Sequence, residues 1–197
     1  MRKPSESYLK LKKATDKILS GAGLVILSPI FAGIAIAIKL EDGITAPVFF
    51  KQKRVGIHKN HFMLYKFRSM QTDTPHDTPT HLLSDPEQYL TGTGRWLRKT
   101  SLDELPQLFN VLMGQMSLVG PRPITENEVP RYEKYIDEYY MVRPGITGLW
   151  QVSGRSDVDY KERVTMDVWY VHNWSVWLDF VLLFRTVKIV LCGKGAY

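Results

Sequence analysis

The sequence predicts an α+β fold in two parts. Residues 1–40 form a basic N-terminus and a re-entrant membrane helix–break–helix. Residues 41–197 form a cytosolic or interfacial domain with a small β-hairpin or sheet and several amphipathic interfacial helices. Three observations predict this. An uncharged run of 21 residues, Ile18 to Ile38, carries Ser28-Pro29 at its centre. Two strand-like stretches, 46–56 (APVFFKQKRVG) and 61–70 (HFMLYKFRSM), flank a short turn. Four stretches beyond residue 100 place apolar side chains at helical spacing.

The apolar run comes first. A bilayer span needs about 20 apolar residues, so its length suits a membrane. It is long for the apolar core of a secretory signal, and no clear cleavage site follows it. A buried core helix is the soluble alternative. Pro29 removes one ladder hydrogen bond and clashes with the preceding turn, and Ser28 can bond back to a nearby carbonyl. Two geometries compete: a kinked span, or a helix–break–helix that enters one leaflet and returns. Flanking charge favours the second. The first seventeen residues, MRKPSESYLKLKKATDK, are basic, and Lys39, Lys51, Lys53 and Arg54 follow the run. Cytoplasmic flanks are the basic ones, and here both flanks qualify. The opening residues also fit an interfacial amphipathic helix, with Tyr8, Leu11, Thr15, Ile18 and Leu19 near one face.

In the second strand, period two puts Phe62, Leu64, Lys66 and Arg68 on one face. Two cations at a strand end usually mean a solvated basic edge. Residues 71–94 are rich in Thr, Pro, Asp and Gly and read as a long loop, with a short helix near 85–90. Asp73, His76, Asp77 and His81 in that loop match no metal-ligand spacing. A helix is predicted over 103–118, with Leu105, Leu108, Phe109, Leu112 and Met116 on one face. Further helices are predicted near 126–140, 158–172 and 176–191. The last carries aromatic residues that suit either a core or a membrane interface, with core packing expected for most of it.

The 197 residues carry a net charge of +6, so an anionic partner is expected. A single cysteine, Cys192, excludes an internal disulfide and an all-cysteine metal site. Nucleic acid is not the expected partner. The basic residues are spread over a membrane flank and several loops, and no recognised reader motif appears.

The stretch TSLDELPQLFNVLMG (100–114) holds adjacent carboxylates, Asp103 and Glu104. Ser101-x-x-Glu104 has the form of a capping box. With Ser101 as cap, Pro106 is the fifth helical residue and a hydrogen bond is lost. With Asp103 as cap, Pro106 is the third, where the N–H has no helical partner anyway. The second register costs less, and it places Asp103 at a positive helix end that also suits a phosphate. Adjacent helical residues point apart, so the two acids would serve one centre in different ways. Arg122 stands between prolines in GPRP (120–123), on a stiff extended backbone. Arg143 and Arg155 lie on the glycine-rich loop RPGITGLWQVSGRS (143–156). Arginine grips phosphate in a two-pronged contact. Each motif alone is consistent with a plain turn or a surface charge; the combination is not easily dismissed.

Together these residues resemble the bacterial sugar transferase family, the monotopic phosphoglycosyl transferases. The resemblance covers nearly the whole chain: the basic N-terminus, the Ser28-Pro29 break, YKFRSM, GRWLRKTSLDELPQLFNVLMGQMSLVGPRP, VRPGITGLWQVSGRS and the closing DVWYVHNWSVWLDF. The C-terminal run is especially similar to members that transfer hexose-1-phosphate. The resemblance implies transfer of a sugar-1-phosphate, galactose or glucose, from a UDP-sugar to undecaprenyl phosphate, with release of UMP. This would be the first membrane step of capsule, exopolysaccharide or O-antigen synthesis, on the cytoplasmic face of the bacterial inner membrane. It implies Asp103 as the nucleophile that forms a phosphosugar-aspartyl intermediate, and Mg²⁺ as cofactor, held by Glu104 with Asp103. Lys66, Arg68 and Arg98 would line the phosphate site, and Arg122 and Arg155 would hold the nucleotide phosphate or the phosphosugar. The sequence assigns neither the sugar nor the oligomeric state; a homodimer is compatible with it. The competing expectation is a membrane-anchored scaffold in which the acid pair only caps a helix.

Overall fold

The computed structural model describes residues 6–71, 74, 86–154 and 158–192. The chain opens with two helices, α1 (Glu6–Ile26) and α2 (Ser28–Asp42), whose axes bend by 59°. The cause of the bend is local. Pro29 has no N–H to offer the carbonyl of Val25 four residues back. The Ser28 hydroxyl donates to that carbonyl instead, at 2.8 Å. Among the described residues no single helix is long and apolar enough to cross a membrane, but the bent pair has that length and composition. One face of the pair is packed: Ile34 and Ile38 are buried against Phe67 and Leu97. The other exposes Ile18, Val25, Ile26, Ile36 and Leu40.

Residues 6–17 are the first turns of α1, and polar contacts dock them on the rest of the chain. Lys12 pairs with Asp179, and the buried Asp16 accepts from the Ser117 hydroxyl at 2.7 Å. Leu11, Ile18 and Leu19 remain exposed, while the Tyr8 side chain lies outside the described residues.

Strands β1 (Phe49–Val55) and β2 (His61–Phe67) form the expected antiparallel hairpin, in register from Phe49 opposite Phe67 to Val55 opposite His61. Phe62 and Leu64 of β2 are buried with Val111 and Met116. A 3₁₀ turn at Pro86–Tyr89 stands where a short helix was expected. The expected loop ends early, because α3 (Gly92–Thr100) begins inside it.

The predicted helix over 103–118 breaks into three pieces. A 3₁₀ turn (Leu102–Glu104) leads to the short α4 (Gln107–Leu112), and then to β3 (Ser117–Val119). Gly114, at φ 79°, ends the helix in a conformation that favours glycine. Asn110 then fixes α4 against β2. Its amide donates to the Met63 carbonyl at 2.7 Å, and its side-chain oxygen accepts from the Tyr65 N–H at 3.0 Å.

The stretch 126–140 is a 3₁₀ run (Glu126–Tyr135), interrupted at Glu133, followed by α5 (Ile136–Tyr139). Pro130 accounts for the poor α-helical bonding there. Strand β4 (Gly145–Thr147) pairs parallel with β3. A Cβ on Gly145 would stand 2.1 Å from the Gly120 nitrogen, so only glycine permits this approach. The glycines of this loop therefore serve backbone packing. The chain closes with α6 (Leu149–Ser153), α7 (Tyr160–Asn173) and α8 (Val176–Cys192). Leu182 of α8 is buried with Val119 and Tyr170, while Trp177, Phe180, Phe184 and Val187 face outward. The result is an α+β fold with two small sheets.

Candidate active site

The acid pair sits where α3 ends. Ser101 adopts a left-handed conformation, φ 58°, that stops α3 and reverses the chain. Asp103 and Glu104 follow at once in the 3₁₀ turn. Asp103 is therefore not a helix cap, and no side-chain capping bond forms from Ser101. Both sequence registers fail here. The left-handed Ser101 ends α3 and leads only into the 3₁₀ turn, without a side-chain cap bond, and α4 starts only at Gln107.

The turn aims both carboxylates at β2. Lys66 donates to Glu104 Oε1 at 2.8 Å, and its Nζ lies 3.7 Å from Asp103 Oδ2. Arg122, leaving the end of β3 through its two prolines, brings Nη1 to 3.7 Å from Glu104 Oε1. Its guanidinium also lies over Trp150, 5.8 Å from the ring centre. Arg54, Lys66, Glu104, Gln107 and Arg122 line one cleft.

The two acids differ in their electrostatics. Burial pushes the Asp103 carboxyl above its usual value, and Glu104 adds to this; Lys66, Arg98 and Arg122 oppose it. Burial pushes Glu104 up as well, but Lys66, Arg122 and Arg54 outweigh it and hold it at about 2. Glu104 is thus a fixed anion, while Asp103 is a buried and more basic carboxylate. A more basic carboxylate is the better nucleophile once ionised.

The structure separates the remaining predicted cations. Lys66 and Arg122 meet the acids directly. Arg98 acts on Asp103 through charge and donates from Nε to the Ser69 hydroxyl at 3.1 Å. Arg68 is buried and pairs with Asp42 at 2.6 Å. The pleat alternates side chains only while the strand lasts, and β2 ends at Phe67. Arg143 donates to the Gly114 carbonyl at 2.8 Å and closes the turn after α4. Arg155 lies outside the described residues, as do Asp73, His76, Asp77 and His81.

Sequence reasoning missed Arg54, counting it only among the basic flanking residues. Its Nη1 donates to the Pro123 carbonyl at 2.9 Å and lies 3.4 Å from Glu128 Oε2, which fixes it beside Arg122. Burial, helped by Arg122, lowers it to about 10. Its buried Nε has no hydrogen-bond partner. Period-two alternation in KQKRV was the available signal, since Val55 and Arg54 must face opposite sides.

Among the described residues no cluster of three or more His, Cys, Asp or Glu could hold a metal. A pair of carboxylates still suits Mg²⁺, which takes one or two carboxylates and completes its shell with phosphate oxygens and water. The contacts to the acid pair fall on Asp103 Oδ2 and Glu104 Oε1. Two adjacent carboxylates, with Glu104 held ionised, match that donor set, so the residues fit.

Comparisons with known proteins bear on the family of the chain. The family model described as bacterial sugar transferase matches residues 7–193. The chain is 46% identical to the undecaprenyl-phosphate galactose phosphotransferase of Salmonella typhimurium, over 95% of this chain and 42% of that protein. It is 40% identical to the UDP-glucose:undecaprenyl-phosphate glucose-1-phosphate transferase of Xanthomonas campestris, over 98% of this chain and 41% of that protein. It is 38% identical to the exopolysaccharide production protein ExoY of Sinorhizobium fredii, over 94% of this chain and 88% of that protein. The chain thus spans about two-fifths of the length of several relatives, and most of a shorter one. On the match over 7–193, the chain belongs to the bacterial sugar transferase family.

Proposed function

We propose that this chain is a phosphoglycosyl transferase that moves a sugar-1-phosphate, galactose or glucose, from a UDP-sugar to undecaprenyl phosphate. The product feeds capsule, exopolysaccharide or O-antigen synthesis. One observation carries the reading: a buried, up-shifted Asp103 beside an ionised Glu104, under Lys66 and Arg122.

The transfer proceeds in two steps. Asp103 attacks the sugar-linked phosphorus. The bond to the bridging oxygen breaks, and UMP leaves with its electron pair. An oxygen of the lipid phosphate then attacks the same phosphorus and releases Asp103. The covalent intermediate splits one difficult transfer into two. Glu104 with Asp103 would hold Mg²⁺, which would supply neutralisation of the diphosphate charge. Lys66 holds the Asp103 carboxyl toward its ionised form and keeps the two acids from repelling each other. Arg122 and Arg54 present positive charge to the departing nucleotide phosphate. Arg98, and Arg155 by family likeness, add to that field.

The bent α1–α2 pair enters one leaflet of the bacterial inner membrane and returns, leaving the catalytic domain on the cytoplasmic face. The outward apolar residues of α8 rest at the same interface. There the site meets the head of a bilayer-embedded lipid phosphate, while the UDP-sugar arrives from water.

The test is UMP release with undecaprenyl phosphate across a panel of UDP-sugars, followed by trapping of labelled phosphosugar on the chain. Label on the wild type and none on Asp103→Asn supports the reading. Equal transfer by Asp103→Asn would reduce the acid pair to a structural turn, and no UMP release by the wild type with any UDP-sugar would leave a membrane-anchored scaffold.

A further inference from the structure

We propose that Glu41 and Asp42, the last two residues of α2, are positioning residues that tie the apolar hairpin to the acid pair. This rests on the transfer reaction proposed above. The two carboxylates grip the two elements that carry the site.

Asp42 takes the β2 side. It accepts from Arg68 Nη2 at 2.6 Å, with Arg68 only 6% exposed. Arg68 is two residues beyond Lys66, the cation between the acids. A buried guanidinium without its carboxylate is costly, so the pair fixes where the chain leaves the sheet. Arg68 Nε and Nη1 are buried without hydrogen-bond partners, which makes Asp42 its principal anchor.

Glu41 takes the α3 side. Its two oxygens accept from the backbone N–H groups of Gly92, at 2.6 Å, and Thr93, at 2.8 Å. These are first-turn donors with no helical partner, and the carboxylate also complements the positive helix end. The far end of the same helix carries Arg98 and turns at Ser101 into Asp103 and Glu104.

The two grips are joined. The Thr91 N–H donates to the Ser69 carbonyl at 3.2 Å, and Arg98 Nε donates to the Ser69 hydroxyl. A Cβ on Gly94 would stand 1.9 Å from the Ser69 oxygen, so α3 lies directly on the chain that follows Arg68. Ile34 and Ile38 of α2 pack on Phe67 and Leu97, one from each element. Adjacent acids at the hairpin's exit therefore set Lys66 and the acid pair relative to each other. Seating of the hairpin in lipid is thereby linked to the geometry of phosphoryl transfer.

The test uses the full chain in lipid nanodiscs. Single-turnover phosphosugar formation and UMP release are measured for Asp42→Asn, Glu41→Gln and Asp42→Glu. An Ile38→Val control loosens the same packing without touching either grip. A displacement of about 1 Å at a reacting centre costs up to about a hundredfold. The expected result is a tenfold to hundredfold slower single turnover for Asp42→Asn and Glu41→Gln, with KM for the UDP-sugar within about twofold. Asp42→Glu recovers part of the rate, and Ile38→Val with a matched fall in Tm keeps it. Wild-type turnover in both amide variants, or equal slowing in Ile38→Val, would overturn the proposal.

Amide hydrogen exchange separates this from failure of the reaction itself. If the wild type releases no UMP with any UDP-sugar, the reaction reading fails. Faster exchange at Glu104 and Leu105 in Glu41→Gln would still support the tie. Unchanged exchange there would refute it.

Discussion

Replacing Lys66 by methionine tests the electrostatic design of the site. The Lys66 ammonium lies 3.7 Å from Asp103 Oδ2, and both side chains are mostly shielded from solvent. At an effective dielectric of about 20, two unit charges at that separation interact by about 4.5 kcal/mol. Since 1.36 kcal/mol corresponds to one pH unit, removing the charge raises the Asp103 carboxyl by as much as about three pH units. Asp103 is already raised by burial, so the loss adds to the existing shift. A nucleophilic carboxylate must be ionised to attack. The acidic limb of kcat/KM against pH reports that ionisation in the free enzyme. In Lys66→Met this limb is expected to move alkaline by one to three pH units, so that raising the pH restores much of the lost rate. Lys66→Arg, which keeps the charge, should leave the limb close to wild type. A deficit in Lys66→Met that is equal at every pH would refute the argument. Lys66 would then act only by binding phosphate.

Other perturbations follow from single contacts. Gly94→Ala places a Cβ on the Ser69 carbonyl and should cost about 1–3 kcal/mol, read as a lower Tm with α3 displaced from β2. Tyr139→Phe removes a buried hydroxyl that donates to the Val55 carbonyl at 2.8 Å and accepts from the Ile124 N–H at 3.2 Å. Leaving those groups unpaired should cost about 1–3 kcal/mol in denaturant unfolding. Asp167 accepts from the Tyr132 hydroxyl at 2.7 Å, and burial pushes it up to about 8. Its folded value lies above its unfolded one, so its contribution is full at low pH and is lost as pH rises toward 8. Asp167→Asn should therefore flatten the fall of Tm between pH 4 and pH 8. An unchanged slope would place that fall on another group.

The sequence by itself determined the features that arise from neighbouring residues. Ser28-Pro29 breaks the apolar helix because the lost amide and the hydroxyl that replaces it act on one carbonyl, within a turn. The β1–β2 hairpin and the helices α7 and α8 lie close to the stretches where the sequence places them, because residue type and local pattern act over neighbouring residues. Asp103, Glu104, Lys66 and Arg122 were singled out by residue type and motif, and the folded chain brings their side chains together.

The tertiary structure decided what depends on partners distant in sequence. Helical spacing continued through Met116, yet the chain became a strand, because β3 pairs with β4 about thirty residues away. The register argument at Pro106 weighed only local hydrogen bonds. The left-handed Ser101 and the contacts of Asp103 and Glu104 with Lys66 and Arg122 override it. Arg68 and Arg54 are placed by the same kind of distant contact. Arg68 is met by the hairpin carboxylate Asp42, whereas Arg54 is held by Pro123 and Glu128 in the cleft beside Arg122. A charge takes its function from what surrounds it when buried, and that environment is assembled only when the chain folds.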